Sequence, residues 1–213
     1  MRELSKKPRT EAQIAAVENL AKASKMSSKK YKLVTEAKKY IENDLIVIDT
    51  ETTDLDGEVI QICAASSRSG EVIFESLVKS EKPITQGAFD KHGFSDEDIK
   101  DAPSFEQIAT ELGETIGHRK WASFNIQFDL DALLNSRHNK EADCYKWITE
   151  NCSHYCLMKL AAEIYGSTNS YGSISLADAM HYSGSKWRGR AHDATADTLA
   201  ATDVLKAIAK NDS

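Results

Sequence analysis

Two carboxylates stand one residue apart in Asp49-Thr50-Glu51, at the end of the short apolar run Leu45-Ile46-Val47-Ile48. If that run is a strand, positions i and i+2 point to the same face, and the two carboxylates are aimed together. Like charges so close repel one another unless a cation neutralises them, and hard oxygen ligands suit Mg²⁺ or Mn²⁺. The same pair would also serve as solvated residues where a strand runs into a turn made by Thr52, Thr53 and Asp54. A second candidate, Asp129, closes the segment Asn125-Ile126-Gln127-Phe128-Asp129 in the first turn of a helix. Its plainer role there is a favourable charge near the helix N-terminus. The third element is His192, five positions before Asp197. An imidazole titrates near neutral pH and can take a proton from water. Equally, His192 could be an ordinary loop residue and Asp197 another acid in a first helical turn.

These residues need elements to hold them. The run 45–48 is too short for a helix and reads as a buried central strand. Segments 58–65 and 71–78 follow, separated by Ser69-Gly70 and preceded by Gly57, which predicts an antiparallel meander. Pro103-Ser104 opens a helix through Phe105, Ile108, Leu112 and Ile116. A strand is predicted over 120–124 and a helix over 126–136. Another strand is expected near 153–156, ahead of a helix over 158–164. The last helix spans about 193–210, capped by Asp193 or Thr195, with Leu199, Ala200, Val204, Leu205 and Ile208 on its buried side. Strands first, then strands alternating with helices, predict an α/β fold with helices packed on a mixed sheet.

The order of the three elements resembles the DEDDh group of the DnaQ-like 3′–5′ exonucleases, in the RNase H-like superfamily, over about residues 44–210. "IVIDTETTDL" (46–55), "SFNIQFD" (123–129) and "AHDATADTLAATDVL" (191–205) look like its three motifs. "PITQGAFDKHGFSDEDIKDAPSFEQI" (83–108) is similar to the substrate-side segment of proofreading exonucleases, and "ISLADAMHYSG" (174–184) to their late helix. The resemblance implies an RNase H-like mixed five-stranded sheet, three antiparallel strands first and then parallel ones, flanked by helices. It implies two divalent metal ions, Mg²⁺ or Mn²⁺, held by Asp49, Glu51, Asp129 and Asp197, with His192 as the catalytic base. The substrate would be nucleic acid with a free 3′ end, single-stranded DNA favoured, and the product a nucleoside 5′-monophosphate.

The implied substrate contacts are Thr50, Thr52, Thr53, Leu55, Phe89, His92 and Asn125. The hydroxyls and N–H groups of Thr52 and Thr53 would meet the terminal nucleotide, and Leu55 would wedge against its base. Phe89 could equally be core packing, and His92 a turn residue before Gly93. Two positions depart from the family's habit: Asp54 replaces a usual Gly and Phe124 a usual His. Neither would be a metal ligand, so both bear on substrate preference. In the sibling DEDDy group a Tyr stands four residues before the last Asp; here that residue is Asp193, which fits the His version. Competing readings are an exoribonuclease trimming RNA or short oligonucleotides with the same site, and a non-catalytic accessory binding module. Loss of a carboxylate or of the His would favour the last, and all five are present.

The 213 residues carry 27 Lys and Arg against 33 Asp and Glu, a net charge of −6. Residues 1–43 hold 11 of the basic and 5 of the acidic side chains, net +6, leaving −12 for 44–213. A basic, helical N-terminal arm (1–43) on an acidic nuclease domain (44–213) is therefore expected. Thr10 and Gln13 form a capping-box pattern, and Ile14, Val17, Leu20 and Ala21 recur at helical spacing. The polar stretch 22–30 reads as a break before a second helix over 31–41, with Leu33, Val34, Ala37, Tyr40 and Ile41 as its apolar face. With the last motif close to residue 213, this arm is expected either to attach the protein to a polymerase or another replication or repair protein or to bind nucleic acid. No apolar run approaches the roughly 20 residues of a membrane span, and the start lacks a signal sequence's apolar stretch, so a cytoplasmic protein with no membrane contact is expected. Four Cys read as reduced thiols. The spacing C-x7-C-x-H-x-C of Cys144, Cys152, His154 and Cys156 matches no usual zinc knuckle. Arg188 and Arg190, just before His192, are candidate phosphate contacts or solvated loop charges. His118-Arg119-Lys120 is most simply a basic helix end.

Overall fold

The computed structural model describes residues 11–211; the side chains of 11–23, 25 and 26 fall outside that description. The Thr10–Gln13 capping box and the Ile14, Val17, Leu20, Ala21 stripe therefore lie outside the described residues. Helix α1 covers Glu11–Glu42. Its length corrects the expected break at 22–30: one helix runs through. Straight-chain Lys and Met propagate a helix well, Ser costs only tenths of a kcal/mol, and neither Gly nor Pro interrupts the stretch.

Five strands form one sheet in the order β3-β2-β1-β4-β5: β1 Ile46–Thr52, β2 Val59–Ser66, β3 Val72–Leu77, β4 Trp121–Ser123 and β5 Cys152–Cys156. β1, β2 and β3 are antiparallel, and β4 and β5 run parallel to β1. This is the RNase H-like mixed sheet expected above. Between β3 and β4 come α2 Gln86–His92, the short α3 Asp96–Ile99 and α4 Phe105–Ile116. α5 Ile126–Asn135 follows β4, and a single 3-10 turn leads into α6 Lys146–Glu150 before β5. α7 Leu157–Tyr165, α8 Leu176–Ser183 and α9 Ala194–Ala209 complete the chain.

β1 is apolar on both sides because both sides are covered. Ile46 and Ile48 pack with Phe105, Leu112, Trp121 and Leu133 under α4 and α5. Leu45 and Val47 pack with Leu157, Val204, Leu205 and Ile208 under α7 and α9. That alternation fixes the chemistry that follows. Asp49 and Glu51 continue the parity of Leu45 and Val47 and so face α9, while Thr50 continues that of Ile46 and Ile48 and faces α5.

The C-terminal half of α1 is part of this core. Val34 and Ala37 are buried, Leu33, Tyr40 and Ile41 pack beside them, and the Tyr40 ring stacks on Tyr155 at 4.1 Å. Asp44 locks the junction into β1. Its carboxylate accepts from Ser66 Oγ at 2.5 Å, Arg68 N at 3.2 Å and Arg119 Nη1 at 2.8 Å. Those donors hold the Asp44 carboxyl below its usual range against the opposing effect of burial. Arg119 is thus more than a helix-end charge.

Candidate active site

The carboxyl ends of the parallel strands β1 and β4 lie side by side, and the N-termini of α5 and α9 meet them there. A cleft of about 530 Å³ opens at this point, lined among others by Asp49, Glu51, Asp129, His192 and Asp197. All five residues singled out for chemistry are brought together.

Each is held by local structure. Asp129 is 2% exposed, and both of its carboxylate oxygens accept hydrogen bonds. Oδ1 accepts from Thr50 N at 3.0 Å and Thr50 Oγ1 at 2.9 Å, and Oδ2 accepts from Ser123 Oγ at 2.6 Å. Asp193 caps α9, accepting from Thr195 N at 3.1 Å and Ala196 N at 3.2 Å. This leaves His192 on the preceding turn at φ 63°, a left-handed conformation uncommon for residues other than glycine. The His192 N–H donates to Asp197 Oδ2 at 3.3 Å, and Asp197 lies one turn inside α9. A β-bulge between Glu51 and Thr52 ends the ladder beside the cleft.

The electrostatics are those of a crowded anionic cluster. Burial first, then repulsion from Asp129, Asp197, Glu51 and Asp193, pushes the Asp49 carboxyl well above its usual range. Burial and the charges of Asp197, Asp129 and Asp193 raise Glu51 to about 8. Burial raises Asp197 to about 6. Asp129 also moves up by burial, opposed by its Ser123 and Thr50 donors. One ligand atom each from Glu51, His192 and Asp197 lies within 4.8 Å of the others, and Asp197 Oδ1 is buried with no hydrogen-bond partner. Mutually repelling oxygens and an unpartnered carboxylate oxygen on a residue that lines the cleft fit hard divalent cations.

A measurable consequence follows. A carboxyl raised in the folded state holds its proton more tightly there than in the unfolded chain, so stability is highest below the unfolded value near 4 and falls as pH rises. Metal-free protein should lose melting temperature steadily from about pH 4 to about pH 8, the Glu51 value. Mg²⁺ or Mn²⁺ should raise it more at pH 8 than at pH 5. A metal-free melting profile flat over that range would remove the electrostatic reading of the cluster.

The expected substrate contacts divide. Thr50, Thr52, Leu55, His92 and Asn125 line the cleft. Leu55 is 81% exposed, free to meet a base. Thr50 is buried, however, and its hydroxyl is committed to Asp129. The Thr52 hydroxyl donates to the Asp54 carbonyl at 2.6 Å. Thr53 corrects the expectation: it is 1% exposed, outside the cleft lining, and turned inward. Its Oγ1 accepts from Glu58 N at 3.0 Å and its N–H donates to Glu58 O at 2.9 Å, so it closes the turn. Gly57 is needed there, since a Cβ would meet Asp54 N and Thr53 Oγ1 at 2.4 Å. Asp54 sits outside the positive-φ residues and accepts from Leu55 N at 2.8 Å, so the usual glycine is not required.

Phe89 is not core packing: it is 41% exposed and lies beside the cleft, outside its lining. The turn of α2 presents Gly87, Ala88, Lys91 and His92 to the cleft and leaves Phe89 on its flank. His92 ends α2, capped by Gly93 at φ 79°, and is 2% exposed. Its Nδ1 accepts from Phe94 N at 3.0 Å, so Nε2 carries the proton and donates to the Thr52 carbonyl at 3.2 Å. Burial lowers its pKa, and it acts as a neutral strut between α2 and β1. The Arg190 guanidinium donates to the His92 carbonyl, whereas Arg188 pairs with Asp203 at 2.9 Å. Phe124 is buried against the α7–α9 core at the cleft wall. Cys144, Cys152 and Cys156 are free thiols, and no metal-binding group forms around them among the described residues. No helix among them is long and apolar enough to cross a membrane.

Three residues escaped the sequence reading. Ser123 lay inside the second motif but carried no signal of its own. Thr50 was seen as a substrate contact and not as an anchor. Gln61 has meaning only once the hairpin register sets it opposite Glu51.

A family model for exonucleases, RNase_T, matches residues 46–205. Uncharacterized exonuclease CP81 of Escherichia phage 186 is 32% identical over 183 residues, covering 82% of this chain and 92% of that protein. DNA polymerase III PolC-type of Halalkalibacterium halodurans is 29% identical over 98 residues, 44% of this chain and 7% of that protein. Among solved structures, exonuclease X in complex with 5′-overhanging duplex DNA aligns with TM-score 0.56 at 20% identity, over 79% of this chain and 92% of that one. Escherichia coli exonuclease I in complex with a dA16 oligonucleotide aligns with TM-score 0.58 at 20% identity, over 76% and 40%. At that identity these two likenesses show the fold alone.

Proposed function

The chain belongs to the exonuclease family of the RNase_T model, DnaQ-like in fold, and on that premise we propose that it is a DEDDh-type 3′–5′ exonuclease removing nucleoside 5′-monophosphates from DNA 3′ ends. The observation that carries this reading is the meeting of Glu51, His192 and Asp197 within 4.8 Å at a cleft that also takes in Asp49 and Asp129. Asp49, Glu51, Asp129 and Asp197 would hold two divalent ions, Mg²⁺ or Mn²⁺. Such ions, when bound, stabilise charge on the attacking and leaving oxygens of an in-line displacement. Thr50 and Ser123 keep the Asp129 carboxylate oriented and ionised through three donated hydrogen bonds. His192, exposed on its turn, takes a proton from the attacking water as the new P–O bond forms. The bond from phosphorus to the 3′ oxygen of the preceding nucleotide breaks, and that oxygen takes a proton from solvent to leave a 3′-hydroxyl on the shortened strand. Leu55 packs on the terminal base, and Asn125, also in the cleft lining, contacts the same nucleotide.

Degradation of 3′- and 5′-labelled single-stranded DNA, duplex DNA and RNA, with Mg²⁺, Mn²⁺ or EDTA, tests the proposal. Mononucleotides should appear first from the 3′ end of single-stranded DNA and not at all in EDTA. RNA degraded faster than DNA would convert the reading to an exoribonuclease, and binding without cleavage to an accessory module.

The arm is proposed as a substrate- or partner-binding appendage, a polymerase or repair protein included. The cut that tests it must spare the buried half of α1, because removing 1–42 would strip Val34, Ala37 and Tyr40 from the core. Deleting residues 1–28 should leave the rate on a short oligonucleotide near wild type. It should weaken binding to long strands and flatten the salt dependence, since each lost phosphate contact lowers the slope by about 0.7 for single strands. An unchanged slope would show that the arm does not touch nucleic acid.

A further inference from the structure

We propose that Gln61 is a positioning residue that sets the catalytic placement of His192, an inference that rests on the reading of His192 as the base. Gln61 lies on β2 directly opposite Glu51 in the antiparallel register, and so shares the sheet face that looks toward α9. Its side-chain amide grips the start of that helix at two points. Oε1 accepts from Ala194 N at 2.9 Å, and Nε2 donates to Asp193 Oδ2 at 3.3 Å. The two contacts fix the amide's orientation, because a flip would set donor against donor and acceptor against acceptor.

The residues it holds are the two that immediately follow His192. On the other side, from Gly184 to Asp193, the chain has no helix or strand, and Gly189 and His192 both take positive φ. That stretch is held by the Arg190 contact to the His92 carbonyl and by the His192 N–H on Asp197 Oδ2, and beyond these the placement of His192 rests on what fixes residues 193 and 194. The Asp193 cap on Thr195 and Ala196 holds the helix start to itself, whereas Gln61 ties that start to the strand pair that carries Glu51. Two further bonds bind α9 to the sheet at a greater distance from His192: Thr195 Oγ1 to Glu75 Oε2 at 3.1 Å, and Thr198 Oγ1 to the Cys63 carbonyl at 3.3 Å. Losing the Gln61 amide would leave α9 capped and docked. The turn bearing His192 would lose its registration against Glu51, and misplacement of a catalytic group by about 1 Å can cost 10²-fold in rate.

The test is a double-mutant cycle on the full chain with Mn²⁺ and a 3′-labelled single-stranded oligonucleotide. Gln61→Met keeps the length of the side chain and removes both hydrogen bonds. Alone, it should lower kcat roughly 10- to 100-fold, with KM and melting temperature close to wild type. In a His192→Ala background the same change should cost less than about twofold, because residues acting as a unit are not additive. Equal losses of kcat in the two backgrounds would make Gln61 a purely structural tie and overturn the proposal, as would an unchanged kcat for Gln61→Met alone. The ratio between backgrounds can be read even where the melting temperature falls, since both variants carry the same folding cost. If His192→Ala itself keeps the wild-type rate, it is the base assignment that fails.

Discussion

Asp49→Asn is expected to lower kcat by about 10³-fold or more while raising the melting temperature of the metal-free protein at pH 8. The first half follows from what Asp49 does for the cleft. It stands on the α9-facing side of β1 with Glu51, and it feels Asp129, Asp197, Glu51 and Asp193 at once. On the proposed two-metal reading, Asp49 would be one of the carboxylates holding the cations. Metal-centred charge stabilisation is worth several kcal/mol, and each 1.36 kcal/mol is tenfold in rate. The second half follows from the same repulsion read without metal. A neutral amide of nearly identical shape removes one member of a crowded anionic group, so the empty cleft becomes less strained. Activity above a tenth of wild type would end the two-metal reading; a melting temperature in EDTA below wild type would show that Asp49 is held by attraction instead.

His192→Ala is expected to lower kcat about 10²- to 10⁴-fold, the range for loss of a general base, while leaving Mn²⁺ affinity little changed. The geometry makes the metal measurement necessary. A His192 ring nitrogen lies within 4.8 Å of ligand atoms of Glu51 and Asp197, close enough to coordinate an ion as well as to deprotonate water. Mn²⁺ titration of the substrate-free protein separates these roles. A fall in affinity matching the fall in kcat would make His192 a ligand.

Much of this site was legible in the sequence through the resemblance its three motifs carry, and local periodicities explain why their residues meet. Asp49 and Glu51 share a face by the twofold repeat of a strand, and the apolar run before them announced that strand. His192 and Asp197 bracket a helix start that Asp193 caps through its own side chain. What was not legible depends on register or on distant partners. Thr53 and Thr52 look alike in sequence, yet one closes a turn through Glu58 and the other borders the cleft. Gln61 is one polar residue in a strand until pairing sets it opposite Glu51. Phe89 was placed by type, whereas the turn of α2 decides which of its side chains meet the cleft. The break expected at 22–30 failed because a run of lysines and serines marks a solvated surface as readily as an interruption.

That unbroken α1 changes the mechanical character of the N-terminal region. A break at 22–30 would have hung its first helix on a pliant link, which samples a volume and whose reach grows only with the square root of its length. The Lys29–Glu163 ion pair, 2.5 Å, ties the helix to α7 on the nuclease body. From Lys29 back to Glu11 the helix continues for 18 residues, about 27 Å at 1.5 Å per residue. A strut anchored at one end points in one direction. Whatever meets residue 11 is held at a set distance and bearing from the cleft, so the region works as a ruler, and inserting or deleting whole helical turns upstream of Lys29 should rescale that distance while leaving the bearing nearly unchanged.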